Sequence, residues 1–292
     1  MRVLIFGASG MLGHKLYQQL STDFEVFATI RLGFDSISKF GFFDRKSIVE
    51  NINVLDIESI RSAIENTKPD IVINAVGVVK QLPASEDVIN TLSVNSVCPK
   101  RLAVLSSEYH FRLITLSTDC VFDGKKGNYV ETDNPDANDL YGISKFLGEQ
   151  TGDNCLTIRT SIIGRELTTG HSVVEWFLSN RGKNVTGYVN AIYSGFPTIV
   201  LAKIVSDIVT KHPELNGVYH VSSDPINKFE LLGLLNKYYQ ANVVIEPFED
   251  FVIDRSLNSL SFRKATDFSP LSWEKMIEQM AADPTPYDKW KK

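Results

Sequence analysis

The sequence predicts an α/β protein with a doubly wound parallel sheet and a smaller, mixed C-terminal lobe. In the first half of the 292-residue chain, short apolar runs alternate with amphipathic helical patterns. A glycine-rich segment directly follows the first apolar run, and beyond about residue 160 the alternation becomes irregular. Strands that alternate with helices are typical of a parallel sheet whose crossover helices cover both faces.

Six strands and four helices are predicted in the first half. The strands span residues 2–6, 25–30, 53–55, 71–74, 112–116 and 156–159, and the helices span 11–20, 57–66, 88–106 and 140–151. In the second half, helices are predicted at 173–178, 199–211 and 229–239, and strands at 218–221 and 243–246. A last short helix follows residue 272, before a proline-containing tail.

Composition and charge are those of an ordinary globular protein. The chain is 43% hydrophobic and 22% charged, which excludes a disordered, collagen-like or coiled-coil chain. A net charge of −5 argues against a general nucleic-acid or anionic-membrane binder. Cys98, Cys120 and Cys155 lack CxxC spacing, so neither a disulfide framework nor a metal site is indicated. Without a signal peptide or a long apolar run, a cytoplasmic location is expected.

The glycine-rich segment lies between the first predicted strand and the first predicted helix. Its sequence, GASGMLG at residues 7–13, has the spacing GxxGxxG. Gly7 permits a tight turn, Gly10 lets the backbone approach a pyrophosphate, and Gly13 lets the helix lie close to the sheet. Free amides at the helix start would then face the anion. The alternative is a tight turn without a ligand, which the order of strand, glycines and helix disfavours.

The residues after the second predicted strand bear on the choice of dinucleotide. An acidic residue there holds a ribose 2′-hydroxyl, whereas an arginine favours a 2′-phosphate. The strand ends in ATIR at residues 28–31, so Arg31 is placed to clamp a phosphate and NADPH is favoured over NADH. The alternative for Arg31 is a solvated surface side chain. Asp56 is expected either to reach the adenine or to cap the following helix.

A second group of polar residues indicates the reactive end of the site. Tyr141 and Lys145 lie four residues apart on a predicted helix, so their side chains project from one face. Thr118 lies at the end of the fifth predicted strand, at the edge where ligand clefts of open α/β sheets form. We expect the hydroxyl, phenol and ammonium groups to converge on one substrate carbonyl.

Reduction of a ketone explains these three residue types. The reaction needs a hydride on carbon, which a nicotinamide supplies, and a proton on oxygen. A phenol with a pKa near 10 is a poor acid-base catalyst at neutral pH unless it is tuned. We expect the Lys145 ammonium to lower the pKa of Tyr141 and to bind the nicotinamide ribose. Thr118 is expected to donate to the substrate oxygen as negative charge develops.

Short motifs along most of the chain now allow a comparison with known families. They are GASGMLG at 7–13, NAVG at 74–77, Asn95, STDCVFDG at 117–124, YGISK at 141–145 and IRTS at 158–161, with weaker matches in GFPT at 195–198 and GVYHVSS at 217–223. The set resembles the extended short-chain dehydrogenase/reductase family and, within it, the dTDP-4-dehydrorhamnose reductase branch. This resemblance implies a Rossmann-type fold, with a dinucleotide-binding domain at 1–160, to which part of the later chain returns, and a mainly substrate-binding lobe at 161–292.

The resemblance also implies a role for each matching residue. The catalytic residues would be Thr118, Tyr141 and Lys145, with Asn95 holding the active-site helix and its water. The residues beside the cofactor would be Gly7, Ser9, Gly10, Met11, Leu12, Asp56, Ile57, Ala75, Val76 and Gly77, together with Tyr141 and Lys145. Arg31 joins this set from its position after the second predicted strand.

The implied substrate is a nucleotide-diphosphate 4-keto-6-deoxy sugar, reduced at C4 in the biosynthesis of a deoxysugar for polysaccharide. Residues expected to contact it are Val78, Lys80, Asp119, Cys120, Trp176 and Arg255. Arg165, Lys183 and Arg255 are candidates to meet its phosphates, each with solvated charge as the alternative. Cys120 stands where the family commonly has tyrosine, and it is expected to be a packed residue because no histidine is near it in sequence. His14 is expected to be a surface or cap residue.

Three other functions remain open at this point. Dehydratases of the superfamily add an Asp-Glu pair beside the catalytic threonine, whereas Asp119 is followed by Cys120. Epimerases retain NAD, which Arg31 disfavours. The same branch also includes a regulatory β subunit of methionine adenosyltransferase, and fold alone does not exclude that role. A homodimer is a further expectation.

Overall fold

The centre of the fold is a seven-stranded parallel sheet. The computed structural model describes residues 1–79 and 87–291. Its strands are β1 (Arg2–Phe6), β2 (Glu25–Thr29), β3 (Ile48–Val49), β4 (Ile71–Asn74), β5 (Arg112–Thr118), β6 (Cys155–Thr160), β7 (Ile162–Ile163), β8 (Asn184–Tyr188), β9 (Ala191–Tyr193), β10 (Phe196–Pro197), β11 (Gly217–His220), β12 (Ile226–Asn227), β13 (Val244–Phe248) and β14 (Ile253–Asp254).

Helices cover both faces of this sheet. They are α1 (Gly13–Leu20), α2 (Asp35–Ser38), α3 (Ile57–Thr67), α4 (Val88–Leu92), α5 (Cys98–Tyr109), α6 (Leu140–Leu147), α7 (Val173–Ser179), α8 (Thr198–Lys211), α9 (Lys228–Tyr239), α10 (Leu260–Thr266) and α11 (Trp273–Ala281). A π-helical turn, Ser93–Val97, joins α4 to α5, and 3₁₀ turns occur at Arg45–Ser47, Asp119–Val121 and Tyr287–Lys289. Within the described ranges, every helix is too short or too polar to traverse a lipid bilayer.

The strand order creates a crevice at the carboxyl edge of the sheet. The order is β11-β6-β5-β4-β1-β2-β3, so the chain builds outward from β1 in one direction and then from β4 in the other. Ligands of open α/β sheets bind outside the carboxyl ends of the strands where this reversal occurs. The predicted fold class is therefore confirmed, and β11 returns from the later chain to pair with β6.

Alternation along β1 divides the core between the two faces of the sheet. Val3 and Ile5 pack on one side, with α1 and α8, whereas Leu4 and Phe6 pack on the other, with α3 and α5. A strand that is buried on both faces reads as a continuous apolar run, which is why the sequence predicts it well.

The later part of the chain adds three small sheets. Their strand orders are β10-β7, β12-β9-β14 and β13-β8. In the middle sheet, Asn227 pairs with Ile192, and Ile192 pairs in turn with Asp254. This pairing brings the start of α9 and the residue after β14 to the same side of the crevice. The division of the chain at residue 160 remains a prediction.

The third strand of the sheet differs from the prediction at 53–55. It is Ile48–Val49, which pairs with Ala28 and Thr29 of β2. The Asn53 side chain accepts a hydrogen bond from Leu55 N at 3.1 Å, and Asp56 N donates to Asn53 O at 3.0 Å. These bonds close a turn where the apolar letters indicated a strand, because an asparagine side chain competes for backbone donors.

The predicted helix at 88–106 is interrupted by the π-helical turn. Cys98 N donates to Ser93 O, a bond that spans five residues. Pro99 follows and has no N–H to offer the carbonyl of Asn95. That carbonyl faces α6 instead, since a β carbon on Gly148 would lie 2.0 Å from Asn95 O. The irregular turn thus brings Asn95 against α6.

Candidate active site

The glycine-rich loop at the end of β1 is shaped for close approach. Gly7 has a φ of +94°, in the region that favours glycine. A β carbon on Gly13 would lie 2.0 Å from Gly7 O, so only glycine lets α1 begin so near the sheet. Gly10 N donates to Gly7 O at 3.1 Å, and Ser9 and Gly10 are exposed.

The start of α1 suits an anion. Within the described residues, no side chain caps this helix and its first turn holds no acidic residue. The first amides of a helix lack intrahelical partners and carry a partial positive charge. A dinucleotide pyrophosphate fits this loop because the backbone is open, unscreened by side chains and free of repelling carboxylates.

A second loop, after β4, borders the same crevice. Ala75 N donates to Phe6 O at 3.0 Å, which joins the ends of β4 and β1. A β carbon on Gly7 would lie 3.1 Å from Val76 Cγ2, so the two loops touch. Gly77 is exposed beside them. The structure therefore brings the predicted residues of both loops together.

The far side of the crevice holds Arg31 and Asp56. Arg31 is exposed, directly after Ile30 at the end of β2. Asp56 caps α3, because its Oδ1 accepts from Glu58 N at 3.0 Å, which is one of the two alternatives the sequence left open. Ile57 is partly buried against the core on that face.

The carboxylate of Glu50, which the sequence analysis did not single out, also lies on this side of the crevice. Glu50 follows β3, and its Oε2 accepts from Phe34 N at 2.8 Å in the loop that carries Arg31. Its other oxygen lies 3.5 Å from Arg45 Nη2. The pairing of β3 with β2 brings Glu50 here, and the sequence did not predict it because the third strand was expected at 53–55.

Thr118, Tyr141 and Lys145 lie together at the end of β5. Lys145 Nζ donates to Leu116 O at 2.6 Å, which ties α6 to the strand that ends at Thr118. A β carbon on Gly77 would lie 3.9 Å from the same Nζ. The ammonium therefore lies between β5 and the loop after β4.

The contact between α6 and the end of β5 depends on Gly142. A β carbon at this position would lie 2.1 Å from Cys120 O. Asp139 caps the helix by accepting from Gly142 N at 2.8 Å. Thr118 Oγ1 accepts from Cys120 N and donates to Asp119 Oδ1, both at 3.1 Å. Tyr141, one residue before Gly142, is thus brought against the turn after β5.

Asn95 links three elements of the site. Its Oδ1 accepts from Val78 N at 2.9 Å, and its Nδ2 donates to Val78 O and to Ser144 Oγ, each at 3.0 Å. Asn95 is 2% exposed, so these bonds are shielded from water. Ser144 joins Asn95 to α6, and both amide hydrogens are engaged by protein groups, while the role of Asn95 toward an active-site water remains a prediction.

Burial dominates the electrostatics of Tyr141 and Lys145. Burial raises the pKa of Tyr141, and a hydrogen bond with the Thr118 hydroxyl lowers it by a smaller amount. Burial lowers the pKa of Lys145 to about 8, while the charge of Glu149 acts in the opposite direction. The neighbouring acidic groups of Cys120, Asp119 and Asp139 also raise the pKa of Tyr141, so the expected lowering of the phenol pKa by Lys145 is not seen in this structure.

Asp119, Cys120 and Arg255 form a wall of the crevice next to the start of α6. Arg255 Nε donates to Phe122 O at 2.9 Å, and its Nη1 lies 3.8 Å from Cys120 Sγ. Burial raises the pKa of Asp119 and raises that of the Cys120 thiol to about 12, so Cys120 is a packed thiol and not a nucleophile. Lys228 also faces this wall: burial lowers its pKa, and the charge of Asp119 opposes that shift.

Four predicted residues lie apart from this wall or cannot be described. Val78 is 8% exposed and is held by Asn95 through its backbone, so it packs rather than lines the opening. Trp176 is exposed on α7, and in the described chain no hydrogen bond or ring contact joins its side chain to Tyr141 or Arg255. Lys80 lies outside the described residues. Arg165 is buried in ion pairs with Glu175 and Asp288 and is not available for a phosphate.

The expectation for His14 is wrong. Its side chain is fully buried. Its Nδ1 lies 2.8 Å from Gly10 O and its Nε2 lies 2.7 Å from Tyr287 Oη. The position directly after the glycine-rich segment gave no sign of burial, because the covering residue, Tyr287, comes from 273 positions farther along the chain.

Sequence reasoning also missed a buried ion pair beside β5, the strand that ends at Thr118. Glu149 accepts from Arg159 Nε and Nη2, each at 2.8 Å, and from Ser117 Oγ at 2.7 Å. A fork-to-fork arginine–carboxylate pair of this kind fixes geometry well. It lies directly behind Thr118. Glu149 lies just beyond α6 and Arg159 lies on β6, so no local spacing in the sequence indicated the pair.

Comparison with known proteins identifies relatives over most of the chain. A dTDP-4-dehydrorhamnose reductase of Aggregatibacter actinomycetemcomitans is 28% identical over 235 residues, 77% of this chain and 74% of the relative. Methionine adenosyltransferase 2 subunit beta of Mus musculus is 26% identical over 247 residues, 79% of this chain and 70% of the relative.

A solved structure shares the whole fold. The dTDP-4-dehydrorhamnose reductase from Bacillus anthracis, in complex with NADP, superimposes with a TM-score of 0.80 over 97% of this chain and 99% of that one, at 22% identity. The model of the RmlD substrate binding domain family matches residues 1–283. The resemblance predicted from the motifs is confirmed, and the predicted enzyme class, an NAD(P)-dependent oxidoreductase, agrees with the reductases named among these relatives. The chain belongs to the RmlD substrate binding domain family.

Proposed function

We propose that this chain reduces the C4 ketone of a nucleotide-diphosphate 4-keto-6-deoxy sugar with NADPH. The observation that carries the proposal is the 2.6 Å bond from Lys145 Nζ to Leu116 O, which holds Tyr141 and Lys145 against the strand end that bears Thr118. Relatives named dTDP-4-dehydrorhamnose reductase support the substrate class. The related structure described in complex with NADP supports the cofactor.

The dinucleotide would lie across the carboxyl ends of β1 and β4. Residues 7–12 would hold its pyrophosphate, Ala75 to Gly77 would border its nicotinamide half, and Arg31 would bind the 2′-phosphate. When bound, NADPH supplies the hydride. Lys145, beside Gly77, would donate to the nicotinamide ribose from the ammonium that now binds Leu116 O.

The chain's own chemistry is the delivery of a proton to the ketone oxygen. Tyr141 would donate its phenolic proton, and Thr118 would hydrogen-bond the same oxygen as charge develops. Reduction requires a protonated phenol at the start, and burial, which raises the pKa of Tyr141, keeps it in that state. The Lys145 ammonium would then stabilise the phenolate that remains.

The wall formed by Asp119, Cys120 and Arg255 would bind the sugar nucleotide. Arg255 and Lys228 provide positive charge near Asp119, on the side of the crevice away from the glycine loop. A diphosphate carries the complementary charge, and an arginine can bind it through two parallel hydrogen bonds. Asp119 and the small Cys120 would face the sugar.

The test is NADPH oxidation with a panel of nucleotide 4-keto-6-deoxy sugars, with mass spectrometry of the products. We expect turnover with at least one dTDP-linked sugar, a product two hydrogens heavier, and a loss of at least about 100-fold in Tyr141→Phe. Tyr109→Phe, which removes an exposed phenol bonded to Glu65, serves as the matched control. Equal rates in wild type and Tyr141→Phe would exclude Tyr141 as the proton donor.

A second candidate is a regulatory subunit that binds the dinucleotide without turnover. The relatives named methionine adenosyltransferase 2 subunit beta favour it, since they match 79% of this chain. The same experiment separates the two functions. Binding of NADPH without oxidation across the whole panel would support the regulatory role and contradict the reductase.

A further inference from the structure

The C-terminal segment at residues 283–291 crosses the back of the dinucleotide site. It follows α11 and contains the 3₁₀ turn Tyr287–Lys289. The match to the family model ends at residue 283, where this segment begins. Within this segment, the Tyr287 side chain is buried, with 3% of its surface exposed. We call residues 283–291 the C-terminal brace.

An ion pair fixes the brace to α1. Lys15 and Asp283 form it with side chains that are 5% and 6% exposed. Lys15 Nζ also donates to Thr285 Oγ1 at 2.9 Å and to Gln18 Oε1 at 2.7 Å. A buried ion pair resists the loss of either partner, because the remaining charge would be left without compensation. The brace and α1 are therefore held in one register.

A second set of contacts anchors the brace to neighbouring elements. Arg165 pairs with Asp288, and Lys291 pairs with Glu175 of α7. The Trp290 ring lies edge-on to Phe40, with centroids 4.8 Å apart, in the segment that follows Arg31 and α2. The brace thus contacts α7 and the segment after α2 in addition to α1.

His14 connects the brace to the glycine loop. Its Nδ1 lies 2.8 Å from Gly10 O, which has no proton, so Nδ1 must carry the hydrogen and donate it. A neutral imidazole has one N–H, so Nε2 accepts from the Tyr287 hydroxyl, 2.7 Å away. Burial lowers the pKa of His14 to about 4, which keeps the ring neutral. The Tyr287 hydroxyl also lies 3.2 Å from Asp283 Oδ2, but its one proton serves the shorter bond to His14 Nε2, and that bond supports the tautomer that binds Gly10 O.

The bond to Gly10 O determines where the next amide points. In a trans peptide the C=O of Gly10 and the N–H of Met11 point in opposite directions. Gly10 O also accepts from His14 N at 3.2 Å, so this carbonyl points along α1. The Met11 N–H consequently points out of the helix start, toward the crevice.

We propose that His14 is a positioning residue for the dinucleotide pyrophosphate. Tyr287 of the C-terminal brace holds it in one tautomer, and it fixes the Gly10–Met11 peptide so that the Met11 amide meets the anion. The inference rests on the proposed function, because that function places the pyrophosphate on this loop. It adds a residue outside the cofactor-lining set and a brace beyond the matched family residues.

The first test measures the dissociation constant of NADPH by fluorescence titration of the full chain. Tyr287→Phe keeps the ring and removes the hydroxyl, and we expect binding to weaken about three- to tenfold, with kcat at saturating NADPH unchanged. His14→Asn keeps a donor near the position of Nδ1 and is expected to bind NADPH more tightly than His14→Leu. The matched control is Tyr239→Phe, which removes a hydroxyl near the brace that bonds to Met280 O at 3.2 Å and, among the described residues, forms no hydrogen bond with α1. Equal weakening in Tyr287→Phe and Tyr239→Phe would overturn the proposal.

The second test is independent of the cofactor. Hydrogen exchange of the Met11, Leu12 and Gly13 amides in the ligand-free protein should be about three- to tenfold faster in Tyr287→Phe and unchanged in Tyr239→Phe. Unchanged exchange in Tyr287→Phe would refute positioning by His14 even if wild type binds NADPH. If exchange is faster in Tyr287→Phe but wild type fails to bind NADPH, the proposed function would be refuted and the role of His14 in holding the loop would be retained.

Discussion

Lys145 Nζ donates a 2.6 Å hydrogen bond to the carbonyl oxygen of Leu116, two residues before Thr118. This bond ties α6 to β5, and in the proposed reaction the same ammonium would also provide positive charge to the phenolate of Tyr141. Burial lowers the pKa of Lys145 to about 8, so the group is mainly cationic at pH 7 and loses its charge within the range that an assay can reach.

The first prediction concerns Lys145. We expect Lys145→Met to lower kcat/KM at least about 100-fold, because the phenolate of Tyr141 would lose its stabilising charge. Lys100→Met is the control, since Lys100 Nζ also donates to a backbone carbonyl, that of Glu149, at 2.9 Å. Wild-type kcat/KM should fall as the pH rises through about 8, where Lys145 becomes neutral. A flat profile from pH 7 to 9, or equal losses in both variants, would contradict this role.

The second prediction concerns Gly13, where a β carbon would lie 2.0 Å from Gly7 O. Gly13→Ala must displace the glycine loop or the start of α1, so NADPH binding should weaken at least about tenfold. Gly233→Ala provides the opposite control: no atom of the described residues lies within 4 Å of its β carbon, so it should stabilise α9 by about 0.5–1 kcal/mol. Calorimetric titration and thermal unfolding measure both effects. NADPH affinity unchanged by Gly13→Ala would show that the loop does not hold the pyrophosphate.

The third prediction concerns the cofactor preference. Arg31→Ala should lower the NADPH-to-NADH ratio of kcat/KM about 10- to 100-fold, since a charge-assisted bond to the 2′-phosphate is lost. Glu50→Gln should raise that ratio, because it removes a negative charge from the loop whose Phe34 N it now binds. Arg181→Ala, an exposed arginine bonded to the carbonyls of Tyr239 and Gln240, is the control. A ratio unmoved by Arg31→Ala would assign the preference to other groups.

Residues that act through local geometry could be predicted from sequence. The GxxGxxG spacing and the interval between Tyr141 and Lys145 describe bonds and angles within one or two turns, so the structure brings these residues together as expected. The fold class was equally accessible, because a strand buried on both faces needs a continuous apolar run. The predicted position of the third strand was wrong for a local reason as well, because the Asn53 side chain closes a turn where a short apolar run had indicated a strand.

Residues whose partners are distant in the chain could not be predicted. The Glu149–Arg159 pair requires that the end of α6 lie against β6, which no local pattern specifies. His14 is buried by Tyr287, and nothing in the residues around His14 indicates a tyrosine 273 positions away. Lys228 and Arg255 reach the crevice through the pairing of β12 and β14 with β9, a three-stranded sheet that the irregular second half concealed.

The fourth prediction concerns acid stability and His14. Its folded-state pKa is lowered from 6.5 to about 4 by burial, so between these values the unfolded chain binds a proton that the folded chain excludes. Stability should therefore be complete above about pH 6.5 and fall as the pH drops toward 4, by about 3 kcal/mol from this residue. Lys15 and Lys291 oppose protonation of His14, whereas the Asp283 carboxylate favours it.

Urea unfolding of wild type and His14→Asn at pH 7, 6, 5 and 4.5 isolates this contribution. Both proteins share every other titrating group, including the Lys15–Asp283 pair, so the difference between their unfolding free energies should shrink as the pH falls. His171→Asn, at an exposed position, should instead follow wild type at every pH. If the unfolding free energies of wild type and His14→Asn changed with pH in parallel, protonation of the His14 ring would cost the folded protein no stability. That outcome is incompatible with a neutral imidazole held between Gly10 O and the Tyr287 hydroxyl.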